Sequence, residues 1–65
     1  MPVITVELGK TEKQVKTELI RNLTTTASKA TQIPEQSFIV LINERDDQNI
    51  GIGGKTLEEV KMAKK

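Results

Sequence analysis

From Val3 to Leu8 apolar and polar positions alternate: Ile4, Val6 and Leu8 share one side, Val3, Thr5 and Glu7 the other. A period of two in β-branched residues predicts a strand with its Ile4 side buried. Gly9 and Lys10 then turn the chain, and the pattern changes period. Val15, Leu19, Ile20, Leu23, Ala27 and Ala30 recur at helical spacing, with Lys13, Lys16, Glu18 and Arg21 largely off that stripe. The spacing predicts an amphipathic helix of about five turns. Thr11 and Gln14 have the spacing of a capping box at its start. Pro34 disfavours helical backbone at Ile33 and so places the helix end just before it.

A second apolar run, "SFIVLIN", does not alternate. Continuous apolar character predicts a strand covered on both sides. The strand–helix–strand order implies a parallel pair joined by the helix. One helix covers only one side of a two-stranded sheet, so the other needs further copies of the chain. "ERDDQN" reads as a charged turn. "IGIGG" reads as a short extended piece that bends at its glycines, and Thr56 with Glu59 as the capped start of a helical turn.

Composition narrows the chemistry. The 65 residues include one aromatic, Phe38, and neither cysteine nor histidine. Disulfides, Cys/His metal sites, thiol nucleophiles and histidine-based triads are excluded, which leaves self-association as the support for so small a core. Ten basic against nine acidic residues give a net charge of +1, with no field to hold nucleic acid or an anionic membrane and no aromatic platform for bases. No targeting segment or long apolar run appears, and the cytoplasm is the expected compartment. The basic end "KMAKK" reads as a solvated tail.

"NIGIGGKT" approaches a phosphate-binding loop, with Gly54, Lys55 and Thr56 in register. Asn49 stands where the first glycine is required, and the setting of a large parallel domain is missing. Glu44, Asp46 and Asp47 lack the spacing of a cation loop and read as a solvated turn.

Pro2 stays open on local grounds. Proline is tolerated at a strand start, where its missing N–H costs no ladder bond. If Met1 is removed, however, its ring nitrogen becomes a secondary amine able to carry a proton. Together with "MPVITVEL", the helix segment "TELIR" and "GIGG", the order of elements resembles the 4-oxalocrotonate tautomerase family over nearly the whole chain. The resemblance implies an α+β fold: a single tautomerase-like domain, residues 1–65, with a β-α-β core, parallel strands and a short C-terminal extended or hairpin segment. It implies homo-oligomers built by sheet pairing, commonly hexamers. It also implies catalysis without cofactor or metal, the amino-terminal Pro2 acting as general base and then acid in keto–enol tautomerisation of a small unsaturated 2-oxo acid. An α-amino group has an ordinary pKa of about 7.7–8.0 and a prolyl amine is more basic. An apolar pocket and a nearby cation such as Lys10 both push it toward neutrality, where a base is useful.

Three positions depart from the family pattern. Lys10 stands where an arginine precedes the helix, and keeps the charge without the bidentate fork. Ile39 replaces a second arginine early in the second strand. Ile50 replaces an aromatic ahead of the glycine motif. Lys10, Ile39 and Ile50 are therefore the substrate-binding candidates beside Pro2, with Arg45 of a neighbouring subunit as a substitute cation. The competing expectation is a non-catalytic oligomeric protein that keeps the fold for assembly.

Overall fold

The computed structural model describes residues 1–63. Strand β1 spans Val3–Gly9, helix α1 Lys13–Thr31 and strand β2 Ile39–Arg45. A short hairpin follows, β3 (Gly51–Ile52) and β4 (Lys55–Thr56), and leads into helix α2 (Leu57–Ala63). Single 3₁₀ turns, Glu35–Ser37 and Asp47–Asn49, flank β2. No helix among the described residues is long and apolar enough to cross a membrane. Of the basic end, Lys64 and Lys65 lie outside the described residues.

β1 and β2 pair in parallel, from Val3 opposite Ile39 to Gly9 opposite Arg45. Ile39 N–H donates to the Pro2 carbonyl at 3.0 Å and extends the ladder by one step. α1 packs against β2. The half-buried Ile4, Val6, Leu8, Val40 and Ile42 alternate with exposed neighbours, as a sheet covered on one side requires. The uncovered side carries Val3, Ile39 and Leu41, exposed by 55%, 39% and 49%.

None of the described side chains is fully buried. The radius of gyration is 15.4 Å and the longest extent 45 Å, whereas a compact chain of this length has a radius of about 11 Å. A core below about 70–80 residues supplies at most roughly 3–5 kcal/mol, and burying one large aliphatic side chain adds about 1.5–3 kcal/mol. Covering Val3, Ile39 and Leu41 is therefore comparable in size to the whole stability of the single chain. Among the described residues no second layer covers β2, as expected if other copies supply it.

The two predicted capping boxes fare differently. At α2 the box forms: Glu59 N–H donates to Thr56 Oγ1 at 3.1 Å, and Glu59 Oε1 accepts from Thr56 N–H and its hydroxyl at 3.0 and 2.9 Å. At α1 it does not. The cap position is Glu12, without a side-chain cap bond. Thr11 N–H instead donates to Glu44 Oε2 of β2 at 2.9 Å, while Lys16 binds Glu44 Oε1 at 3.1 Å. A carboxylate is a stronger acceptor than a glutamine amide, and β2 holds it over the helix start. The other end of α1 closes at Gln32, in left-handed backbone with φ 64°, just ahead of Pro34.

The "GIGG" segment is a tight hairpin. Gly53 and Gly54 have φ of 59° and 87°, the pair of positive values that a type I′ turn demands and that glycine adopts without strain. Lys55 and Thr56 belong to β4, and the Thr56 hydroxyl is committed to Glu59. The resemblance to a phosphate loop is one of spacing only.

Candidate functional site

The parallel register divides the sequence candidates into two groups. Pro2 and Ile39 meet at the N-terminal end of the strand pair, joined by the Ile39 N–H to Pro2 carbonyl bond. This end is apolar, with Val3 opposite Ile39. Pro2 is half-buried, whereas Met1 ahead of it is 88% exposed.

Lys10, Arg45 and Ile50 gather at the opposite end. Seven strand steps at about 3.3 Å separate the two groups by roughly 23 Å. No single subunit brings Pro2 within reach of a cation from this set.

Lys10 is exposed and paired with Asp46, Nζ to Oδ1 at 3.1 Å. It lines a cavity of about 420 Å³ shared with Asp46, Asp47, Glu58 and Lys61. Lys61 bonds Asp47 at 2.9 Å. Two lysines face three carboxylates here, so this cavity alone does not attract an anion. The carboxylates of the acidic turn are engaged by the chain's own groups: Glu44 by Thr11 N–H and Lys16, Asp46 by Lys10 and Asp47 by Lys61.

Arg45 has a different setting. Its Nε donates to Glu7 Oε1 at 2.9 Å, and Asn43 Nδ2 donates to Glu7 Oε2 at 2.9 Å. Glu7 and Asn43 are register partners, and Arg45 lies two residues beyond Asn43 on the same strand side. The Asn43 amide first, and the Arg45 guanidinium second, hold the Glu7 carboxyl below its ordinary range. Arg45 and Glu7 border a second cavity of about 320 Å³, whose remaining walls are Leu8, Asn49 and Ile50. Its polar rim is one guanidinium with its carboxylate, and its apolar wall is Leu8 with Ile50.

Glu7 and Asn43 were not legible as site residues. The alternation in β1 places Glu7 on the side away from Ile4, but only the register with β2 sets it opposite Asn43.

The family model for the tautomerase enzymes matches residues 2–59. A probable tautomerase of Bacillus cereus is 36% identical over 61 residues, covering 91% of this chain and 98% of the relative. The crystal structure of TomN, a 4-oxalocrotonate tautomerase homologue of tomaymycin biosynthesis, superposes with a TM-score of 0.94 at 23% identity, covering 98% of this chain and all of that one. A heterohexameric 4-oxalocrotonate tautomerase from Chloroflexus aurantiacus shares the fold with a TM-score of 0.80 at 23% identity, covering 92% of this chain and 97% of the other.

Proposed function

This chain belongs to the tautomerase family, and we propose that it interconverts the enol and keto forms of a small unsaturated 2-oxo acid, with Pro2 as the proton carrier. The amine takes the enol O–H proton, the oxygen electron pair closes to the carbonyl, and the former double-bond carbon accepts the proton back from the prolyl ammonium. Atoms and charge balance without an electron acceptor.

The separation of the strand ends carries the assembly part of this proposal. A base at one end and cations at the other become a site when subunits pair with strands reversed, since a two-fold axis sets the C-terminal end of one pair beside the N-terminal end of its partner. The uncovered side with Val3, Ile39 and Leu41 and the extended shape support such closure, and a heterohexamer of the same fold in Chloroflexus aurantiacus supports a hexamer of this chain. In the assembled site Pro2 is the base, and Arg45 and Lys10 of neighbouring subunits are the partners of substrate charge. Ile39 and Ile50 supply apolar wall. Both cations carry a carboxylate partner, but Glu7 engages only the Nε of Arg45 and leaves its two terminal nitrogens for a ligand, whereas Asp46 engages the single Nζ of Lys10.

Cleavage of the Met1–Pro2 bond is required, because the proline nitrogen of the intact chain is a non-basic amide. The exposure of Met1 leaves that bond open to a peptidase. The test is the intact mass of cell-expressed protein together with turnover of phenylenolpyruvate and 2-hydroxymuconate. Chains starting at Pro2 and active on at least one enol are expected. Full-length chains that tautomerise these enols equally well would remove Pro2 as the base, and an inert protein starting at Pro2 would leave the assembly role.

A further inference from the structure

We propose that Glu44 is a positioning residue for substrate binding: by holding the peptide unit between Lys10 and Thr11, it fixes where the Lys10 ammonium meets the carboxylate of the substrate. The inference rests on the tautomerase activity proposed above.

Only residues 10–12 link β1 to α1, and Lys10 opens that link. The link carries its own means of closing the helix start, the Thr11 and Gln14 spacing, yet the bond is made elsewhere. Thr11 N–H donates at 2.9 Å to Glu44 Oε2, which lies 33 residues away in the chain. A peptide unit is planar, so the atoms from Lys10 Cα to Thr11 Cα move as one body. A bond to the Thr11 N–H therefore sets the Lys10 carbonyl and the point from which the lysine side chain departs.

Glu44 is itself well held. It stands opposite Leu8 in the strand register, and its Oε1 takes Lys16 Nζ at 3.1 Å. Its side chain is 28% exposed, less than any other carboxylate in an ion pair among the described residues. Thr11 N–H first, and Lys16 second, hold the Glu44 carboxyl below its ordinary range, and the Lys10 charge adds to the same shift. Charged at neutral pH, the carboxylate is a stronger acceptor for the amide than a neutral group in its place.

Lys10 is thus fixed by its backbone, while its ammonium is engaged by Asp46 in an exposed pair at 3.1 Å. Such a pair is weak, and a substrate carboxylate is able to take the place of Asp46. A lysine on a free link would lose backbone as well as side-chain freedom on binding. Glu44 removes the backbone part of that cost in advance.

The test measures kcat and KM for phenylenolpyruvate in the assembled enzyme. Glu44→Ala is expected to raise KM about 2- to 5-fold, no more than Lys10→Ala does, with kcat nearly unchanged. Glu44→Gln, whose side-chain oxygen still accepts from Thr11 N–H, should recover most of that loss. Lys16→Ala removes the ion pair and leaves the Thr11 bond, so it should lower the melting temperature while KM stays constant. Adding Glu44→Ala to Lys10→Ala should raise KM no further, because a positioning residue acts only through the group it positions. A Glu44→Ala protein with a lower melting temperature and an unmoved KM overturns the proposal, since Glu44 is then only a brace for the start of α1. So does an equal rise in KM when Lys10 is already alanine, or a KM that Lys10→Ala leaves alone. Should Glu44→Ala fail to fold, Glu44→Asp, one methylene short of the Thr11 amide, decides by the same KM comparison. If the unmodified enzyme turns over neither phenylenolpyruvate nor 2-hydroxymuconate, the tautomerase activity itself fails and the inference falls with it; turnover with a KM indifferent to Glu44 overturns this inference alone.

Discussion

The two ends of the parallel strand pair differ as sharply as any two regions of this molecule. At the N-terminal end Pro2 and Val3 meet Ile39 in an apolar strand register, apart from Lys10 and Arg45. At the C-terminal end Glu7, Lys10, Asn43 and Arg45 crowd together, with ion pairs Lys10–Asp46 and Arg45–Glu7 and the half-buried Ile50 alongside. One end suits a base whose cation is disfavoured, the other suits an anion. Within one chain the two ends stay apart. A chain too short to fold its strands back on themselves keeps its apolar and its charged end at opposite edges of one strand pair.

The sharpest way to break this contrast is at the apolar end. Pro2→Ala should lower kcat by about 10²- to 10⁴-fold, the usual contribution of a general base, while oligomer mass and circular dichroism stay as they were. A primary amine remains, so the loss is graded. Unchanged kcat with an unchanged pH profile would make Pro2 a strand-start residue only.

Separating the two ends physically comes next. Leu41→Lys puts a charge on the uncovered sheet side, 49% exposed in the single chain and covered in the proposed assembly. Light scattering should show smaller species, and activity should fall with the loss of assembly, because each site then lacks one of its ends. Full activity from a monomer would contradict a site shared between subunits. A complementary experiment co-assembles Pro2→Ala chains with Arg45→Ala chains. Each alone is expected to be impaired in enol turnover, but random mixing restores about a quarter of the sites if base and cation come from different subunits. No recovery in verified mixed oligomers would return both groups to one chain.

Smaller effects sharpen the charged end. Lys10→Ala should raise KM modestly, less than Arg45→Ala does, because Asp46 engages the single Nζ of Lys10 while Glu7 engages only the Nε of Arg45 and leaves its planar fork of terminal nitrogens. A larger effect from Lys10 would invert the ranking of the two cations.

The smallest effect is the acid response of this end and its neighbours. Glu7, Glu44 and Glu59 are each held below the ordinary carboxyl value of 4.5: Glu7 chiefly by the Asn43 amide, Glu44 by Thr11 N–H and Glu59 by Thr56 N–H. A depressed carboxyl stabilises the fold fully above its unfolded pKa, and that stability fades as pH falls through the folded value. Melting temperature should thus be flat toward neutrality and decline below about pH 4.5, and Glu7→Gln should make the decline shallower. All three groups are exposed, so the slope is small. A Glu7→Gln profile that overlays the parent would show that Asn43 and Arg45 do not hold Glu7 in solution.

Much of this molecule was decided locally. The period of two in Val3–Leu8, the helical stripe from Val15 to Ala30 and the apolar run into β2 each mark an element, because burial on one side of a strand or helix repeats with the geometry of the backbone. Gly53 and Gly54 mark the hairpin, since positive φ excludes most other residues, and the Thr56–Glu59 box closes over three residues with no outside competitor. The tertiary structure decided what depends on register. The same spacing at Thr11 and Gln14 fails to cap α1 because β2 delivers the Glu44 carboxylate to that amide. Glu7, on a strand side that looks merely polar in sequence, becomes the partner of Asn43 and Arg45 only when Val3 pairs with Ile39. Periodicity reports which residues share a side of one element; which residues of two elements meet is fixed by their pairing, and one residue of slip would have moved every such meeting to the other side.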